Sequence, residues 1–100
     1  MSDNVRNERV LVGTTSTTIA RLGDSKFSPR TAILIRNNSP NAADIITLNI
    51  GADVAVSGSG LVLNKGETWT DSNSEGYQCY QGVIQAICDT ADGVLAVMER

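Results

Sequence analysis

The chain has no histidine, only four aromatic residues, and no apolar run approaching the ~20 residues that span a bilayer. Each absence removes a class of function. Without imidazole, a general base near neutral pH would have to be an Asp, Glu or Lys with a strongly shifted pKa. The carboxylates are scattered over separate loops and no Gly-x-Ser-x-Gly elbow is present. The expectation is therefore a non-enzyme with no catalytic residue, cofactor or metal. So few aromatics leave the core to Val, Ile and Leu, with Trp69 expected as its one large anchor. Met1-Ser-Asp-Asn-Val-Arg6 has no apolar stretch resembling a signal peptide. That predicts a soluble protein without a membrane partner, made and retained or assembled in a cytoplasm. Cysteine is also scarce. On one extended segment Cys79 and Cys88 would stand roughly 30 Å apart at ~3.3 Å per residue, far beyond disulfide reach, so free structural thiols are predicted.

What is present is β-structure. Ile46, Leu48 and Ile50 alternate with Ile45, Thr47 and Asn49, the period of a strand with two unlike faces. Thr31-Ala-Ile-Leu-Ile-Arg36 is apolar on both faces in its middle, which predicts a central strand. Arg9-Val-Leu-Val-Gly13, the threonine-rich stretch 14–20, Asp53-Val-Ala-Val56 and Leu61-Val-Leu63 read as further strands. So do Glu67-Thr-Trp-Thr70, Tyr80-Gln-Gly-Val-Ile-Gln-Ala-Ile-Cys88 and Val94-Leu-Ala-Val-Met98. Asn64-Lys-Gly66 suits a tight hairpin turn between two of them. No segment has a helical period. The fold class predicted is all-β: a small antiparallel β-sandwich or barrel of about eight strands over residues 9–100, preceded by a polar N-terminal arm over 1–8.

The motifs that could carry chemistry are incomplete. Asp71-x-Asn73-x-Glu75-Gly76 matches the opening of a calcium loop, but Gly82 stands where the bidentate Glu belongs. Gly58-Ser-Gly60 and Asn64-Lys-Gly66 lack the Gly-Lys-Ser/Thr end of a phosphate loop. Trp69, Tyr77 and Tyr80 could form an aromatic ledge for sugar rings, against the plainer reading of Trp69 as a core plug. Charge is uneven. Six basic residues oppose three acids up to Arg36, while beyond it Lys65 and Arg100 oppose eight acids, for a net −3. An acidic chain without an aromatic-basic cluster predicts no nucleic-acid partner.

The segments Thr31-Ala-Ile-Leu-Ile-Arg-Asn-Asn-Ser39, Gly60-Leu-Val-Leu-Asn-Lys-Gly-Glu67, Tyr80–Cys88 and Leu95-Ala-Val-Met-Glu99 together resemble small tailed-bacteriophage virion proteins. The resemblance covers roughly residues 9–99 and rests on strand order and turn pattern. It implies a structural component of the virion, located on the capsid surface: a decoration or cement protein bound to the major capsid protein. It also implies a homo-oligomer, a trimer being favoured. The alternative is a receptor- or carbohydrate-binding module of a head fibre or tail. The N-terminal segment is too polar to build a core and belongs to the basic end of the chain, so it is expected to dock on the shell. Arg6 and Arg9 would serve as charged contacts and Val5, Val10 and Leu11 as apolar ones. Removal of residues 1–8 is then expected to leave a folded body.

Overall fold

Period-two alternation lays down eight strands in the computed structural model, which describes residues 6–20 and 30–100. They are β1 (Arg6–Val12), β2 (Thr17–Ala20), β3 (Ala32–Asn37), β4 (Ile46–Ile50), β5 (Leu61–Leu63), β6 (Thr68–Ser72), β7 (Ile84–Cys88) and β8 (Gly93–Glu99). No helix occurs among the described residues. The first strand pairs with the last, β2 with β7, β3 with β6 and β4 with β5, all antiparallel. That is the pattern of one long antiparallel ribbon. Two further pairings, β3 with β8 and β4 with β7, roll the ribbon into two sheets ordered β1-β8-β3-β6 and β2-β7-β4-β5. The expected small all-β sandwich is present, and its strand order is that of a jelly roll.

The core lies between the sheets. Ile19, Ile35, Ile46, Leu48, Ile84 and Leu95 are completely buried there, with both cysteines, which are free thiols. Each large aliphatic contributes about 1.5–3 kcal/mol by leaving water. Glycine is required at one point of this packing. A Cβ on Gly93 would lie 2.4 Å from the Val12 carbonyl oxygen and 2.8 Å from Cys88 Cβ, so any side chain there would push β8 away from β1 and β7.

Several expectations are corrected. Residues 53–56 form no strand; only an isolated bridge joins Val56 to Ser59. The turn at 64–66 exists, with the Glu67 amide donating to the Asn64 carbonyl at 2.9 Å. It is not a hairpin, because β5 and β6 belong to different sheets. Asn37 holds this crossover. Its main chain bonds Gly66 and Glu67, and its side-chain amide donates to the Asp44 and Leu63 carbonyls at 2.8 and 2.9 Å. The first strand begins at Arg6, so residues 6–8 of the expected arm are paired with Glu99, Met98 and Val97 of β8.

Trp69 faces inward opposite Ile35 but is only half-buried, a lid on the core and not its central anchor. It lies on β6, which ends its sheet among the described residues, so no described strand covers one flank of the indole. Trp69→Ala should therefore cost about 2 kcal/mol, below the 3–5 of a fully buried aromatic. Urea unfolding together with partial acrylamide quenching of native fluorescence would check this.

An ion cluster plugs the end of the core. Arg30, fully buried, directs Nε and Nη2 to Glu99 Oε2, each at 2.9 Å. It also donates to the Tyr80 and Gly82 carbonyls. The other carboxylate oxygen of Glu99 pairs with Arg6, which also pairs with Glu8 and donates to the Ile19 carbonyl at 3.1 Å. The cluster ties β1, β2, β8 and the β6–β7 loop together. A second tie joins Thr90 to Asp44. The Thr90 hydroxyl and then the Asn41 amide hold the Asp44 carboxyl below its ordinary pKa. Its contribution is thus present above the ordinary carboxylate range and is lost as pH falls through the lowered value.

Candidate functional site

The alternation that buries Val10, Val12, Ile33, Ile35, Leu95 and Val97 turns the intervening residues of β1, β8 and β3 outward. Register arranges them in rows. Arg9 stands opposite Ala96, and Ala96 opposite Arg36, which in turn faces Thr68. The next row is Asn7, Met98, Leu34 and Thr70, and Leu11 lies opposite Val94. Two guanidinium-bearing strands thus flank a strand of small and medium apolar residues, at the ~4.8 Å interstrand spacing of a sheet. An open groove of about 700 Å³ runs over this face, its lining including Glu8, Arg9, Leu34, Asn38, Pro40 and Met98. Outward-facing positions of this sheet carry two charges, Arg9 and Arg36, both positive, on a chain of net −3. Arg36 is aimed by a bond from its Nε to Asn38 Oδ1 at 2.9 Å.

The outer face of the other sheet differs, because the β4–β5 connection folds across it as a strap. The Ala55 amide donates to Ser16 Oγ at 2.8 Å, the Gly58 amide to Thr47 Oγ1 at 3.0 Å, and Ser57 bonds Asp89. Ala55 and Thr47 are buried beneath it. Among the described residues, one outer face is covered from within the chain, and no segment crosses the other, a cation-flanked apolar surface.

The residues singled out from sequence are divided by the fold. Arg9 and Leu11 lie on the bare face, Leu11 being 64% exposed. Val10 faces the opposite way and belongs to the core, and Arg6 is taken up in the Glu99 cluster. Neither is placed for contact with a partner, because alternation along β1 turns Val10 into the core with Val12, and Arg6 is held by Glu8 and Glu99. Val5 lies outside the described residues. Deletion of residues 1–8 would remove Arg6 from Glu99 and three rungs of β1 from β8, so the folded body it is expected to leave would be less stable than the whole chain. Leu34, Arg36, Ala96 and Met98 were missed as site residues. The apolar runs of β3 and β8 did carry a signal, since strands apolar on both faces need cover on both.

The aromatic ledge is not assembled. Trp69 packs inward, and Tyr80 is part-buried with its hydroxyl on the Val83 carbonyl, leaving Tyr77 exposed. Two side chains of the calcium-like loop are bonded internally. Asp71 accepts from the Tyr77 hydroxyl and the Tyr80 amide, and Asn73 Oδ1 accepts from the Cys79 amide. That bond to Asp71 raises the Tyr77 pKa, and burial raises that of the Cys79 thiol. Among the described residues no three His, Cys, Asp or Glu side chains gather in a metal-holding group. In comparisons with known proteins, no family model, curated protein or solved structure matches this chain.

Proposed function

We propose that this is a non-enzymatic structural protein of a bacteriophage virion that binds the outside of the capsid and stabilises it. The bare outer face of the β1-β8-β3-β6 sheet would be its docking surface. The observation that carries the docking reading is the Arg9–Ala96–Arg36 row beside Leu34, Val94 and Met98. Apolar area flanked by Arg9 and Arg36, with the Glu8 carboxylate at its edge paired to Arg6, fits a large protein surface that is apolar at its centre and acidic at its rim. A second copy in the same position would set arginine against arginine. The jelly-roll body is shared by capsid proteins, lectins and cupins, so it does not choose among functions. The capsid as partner comes from the resemblance of the strand and turn pattern to small phage virion proteins.

The test is binding to capsids of the parent phage prepared without this protein. Wild type should bind saturably and protect the shell against heat. Met98→Asp should weaken binding by about tenfold or more, by placing a charge in the apolar strip. Arg9→Glu with Arg36→Glu should slow association and remove most of its salt dependence. Absence of saturable binding, or full binding by Met98→Asp, would overturn the reading. Binding to cell-surface glycans and not to capsids would move it to a fibre or tail recognition module.

A further inference from the structure

Every ion pair among the described residues involves Arg6 or Arg30. Arg36 and Lys65 have no carboxylate partner there, yet both are held in place. Arg36 donates from Nε to Asn38 Oδ1 at 2.9 Å, and Lys65 from Nζ to the Pro40 carbonyl at 2.9 Å. Two cations thus reach one short loop, 38–40, the first from β3 and the second from the turn that follows β5. They approach each other as well. Arg36 Nη2 lies 4.0 Å from where a Cβ on Gly66, the neighbour of Lys65, would stand.

Asn37, completely buried, fixes both segments from below. Its carbonyl accepts from the Gly66 amide at 2.8 Å, its own amide donates to the Glu67 carbonyl at 3.0 Å, and its Oδ1 accepts from the Ser39 amide at 3.0 Å. The nearby carboxylates are engaged elsewhere. Glu67 Oε1 accepts from the Asn64 amide and side chain. Asp44 accepts from Thr90 and Asn41, Lys65 being the weakest of the influences on it. The groups turned to solvent here are donors: the Arg36 Nη groups, the Lys65 ammonium and Asn38 Nδ2, on three exposed residues.

We propose that Arg36, Lys65 and Asn38 form a carboxylate-binding site, which takes an acidic side chain of a partner polypeptide whose apolar neighbours lie along the groove. This rests on the docking reading of the same face. Asn38 and Pro40 belong to the groove's lining, with Val94 beside them and Met98 further along β8. An acid bound at Asn38 therefore places the next residues of an extended segment over the apolar strip. A guanidinium fork matches the two oxygens of a carboxylate. Its bond to Asn38 and the frame at Asn37 already order it, so less side-chain entropy is left to lose on binding. Phosphate would suit the same donors, but it has nothing to lay on the apolar strip beside them.

N-acetyl-tetraglutamate is the probe, titrated into the isotope-labelled full chain at fixed ionic strength and without any capsid. The amide signals of Asn38, Lys65 and Gly66 should shift saturably, with a Kd of about 1 mM or tighter, and tetraglutamine should shift none of them. Lys65→Gln and Arg36→Gln should each weaken the peptide about fivefold or more at unchanged melting temperature. Arg36→Lys, which keeps the charge but not the fork, should lose most of what Arg36→Gln loses. Arg100→Gln, an equal change in net charge, should leave binding within about twofold. On capsids, the Lys65→Gln, Arg36→Gln double variant should dissociate about tenfold faster than wild type. Shifts that are absent or fall elsewhere, inorganic phosphate bound as tightly as the peptide, or indifference to both Gln substitutions would overturn the proposal. Wild type that binds the peptide at these residues but not capsids would overturn the docking reading and support the site.

Discussion

Glu99→Ala should cost about 3–5 kcal/mol of folding stability, the loss expected when one partner of a buried ion pair is removed. Arg30 is fully buried and places two nitrogens at 2.9 Å from one Glu99 oxygen. Without that carboxylate the guanidinium keeps the Tyr80 and Gly82 carbonyls, which accept its hydrogens but do not neutralise its charge. Arg6 retains Glu8 but loses its link across to β8. Glu99→Gln should fall between wild type and Ala, since it restores shape and one acceptor without the charge. Urea titration followed by circular dichroism measures all three proteins. A loss below about 1 kcal/mol for Glu99→Ala would show that the cluster's attraction barely offsets its desolvation.

Ile35→Ala is the second large effect. Ile35 is fully buried at the middle of β3, with Val97 on one flank and Trp69 on the other. Truncation leaves a cavity between three strands, and about 2–5 kcal/mol should be lost. Arg36→Ala, one residue later and on the opposite face, should change stability by about 0.5 kcal/mol or less, while weakening attachment to an acidic surface. The same urea titration gives both values. Comparable losses at the two positions would contradict the assignment of β3's inner and outer faces.

The pair also shows how much of the molecule could be read beforehand. Ile35 and its neighbours sit in a run apolar on both faces, and the central placement this predicted is found: β3 lies between β8 and β6. Alternation likewise located Ile46, Leu48 and Ile50, because side-chain period is local and needs no knowledge of the partner strand. Trp69 was legible as inward-facing. Its half-exposure was not, since that depends on β6 ending its sheet. For the candidate site, Arg9 and Leu11 were named from sequence, but Arg36 and Met98 were not. They come next to β1 only because β8, at the far end of the chain, is inserted between β1 and β3.

By itself the sequence determined the all-β class, most strand positions, the free thiols and the lack of an imidazole base. Each follows from composition or from short-range period. The tertiary structure decided which sheet each strand joins, and so turned the apparent hairpin at 64–66 into a crossover between sheets. It also withdrew Arg6 into the Glu99 cluster and Val10 into the core, and laid a strap across one outer face but, among the described residues, none across the other. The physical reason is separation along the chain. Arg6 meets Glu99 across nearly the whole sequence, and a strand's own residues specify its two faces but not the distant strand that will lie beside it.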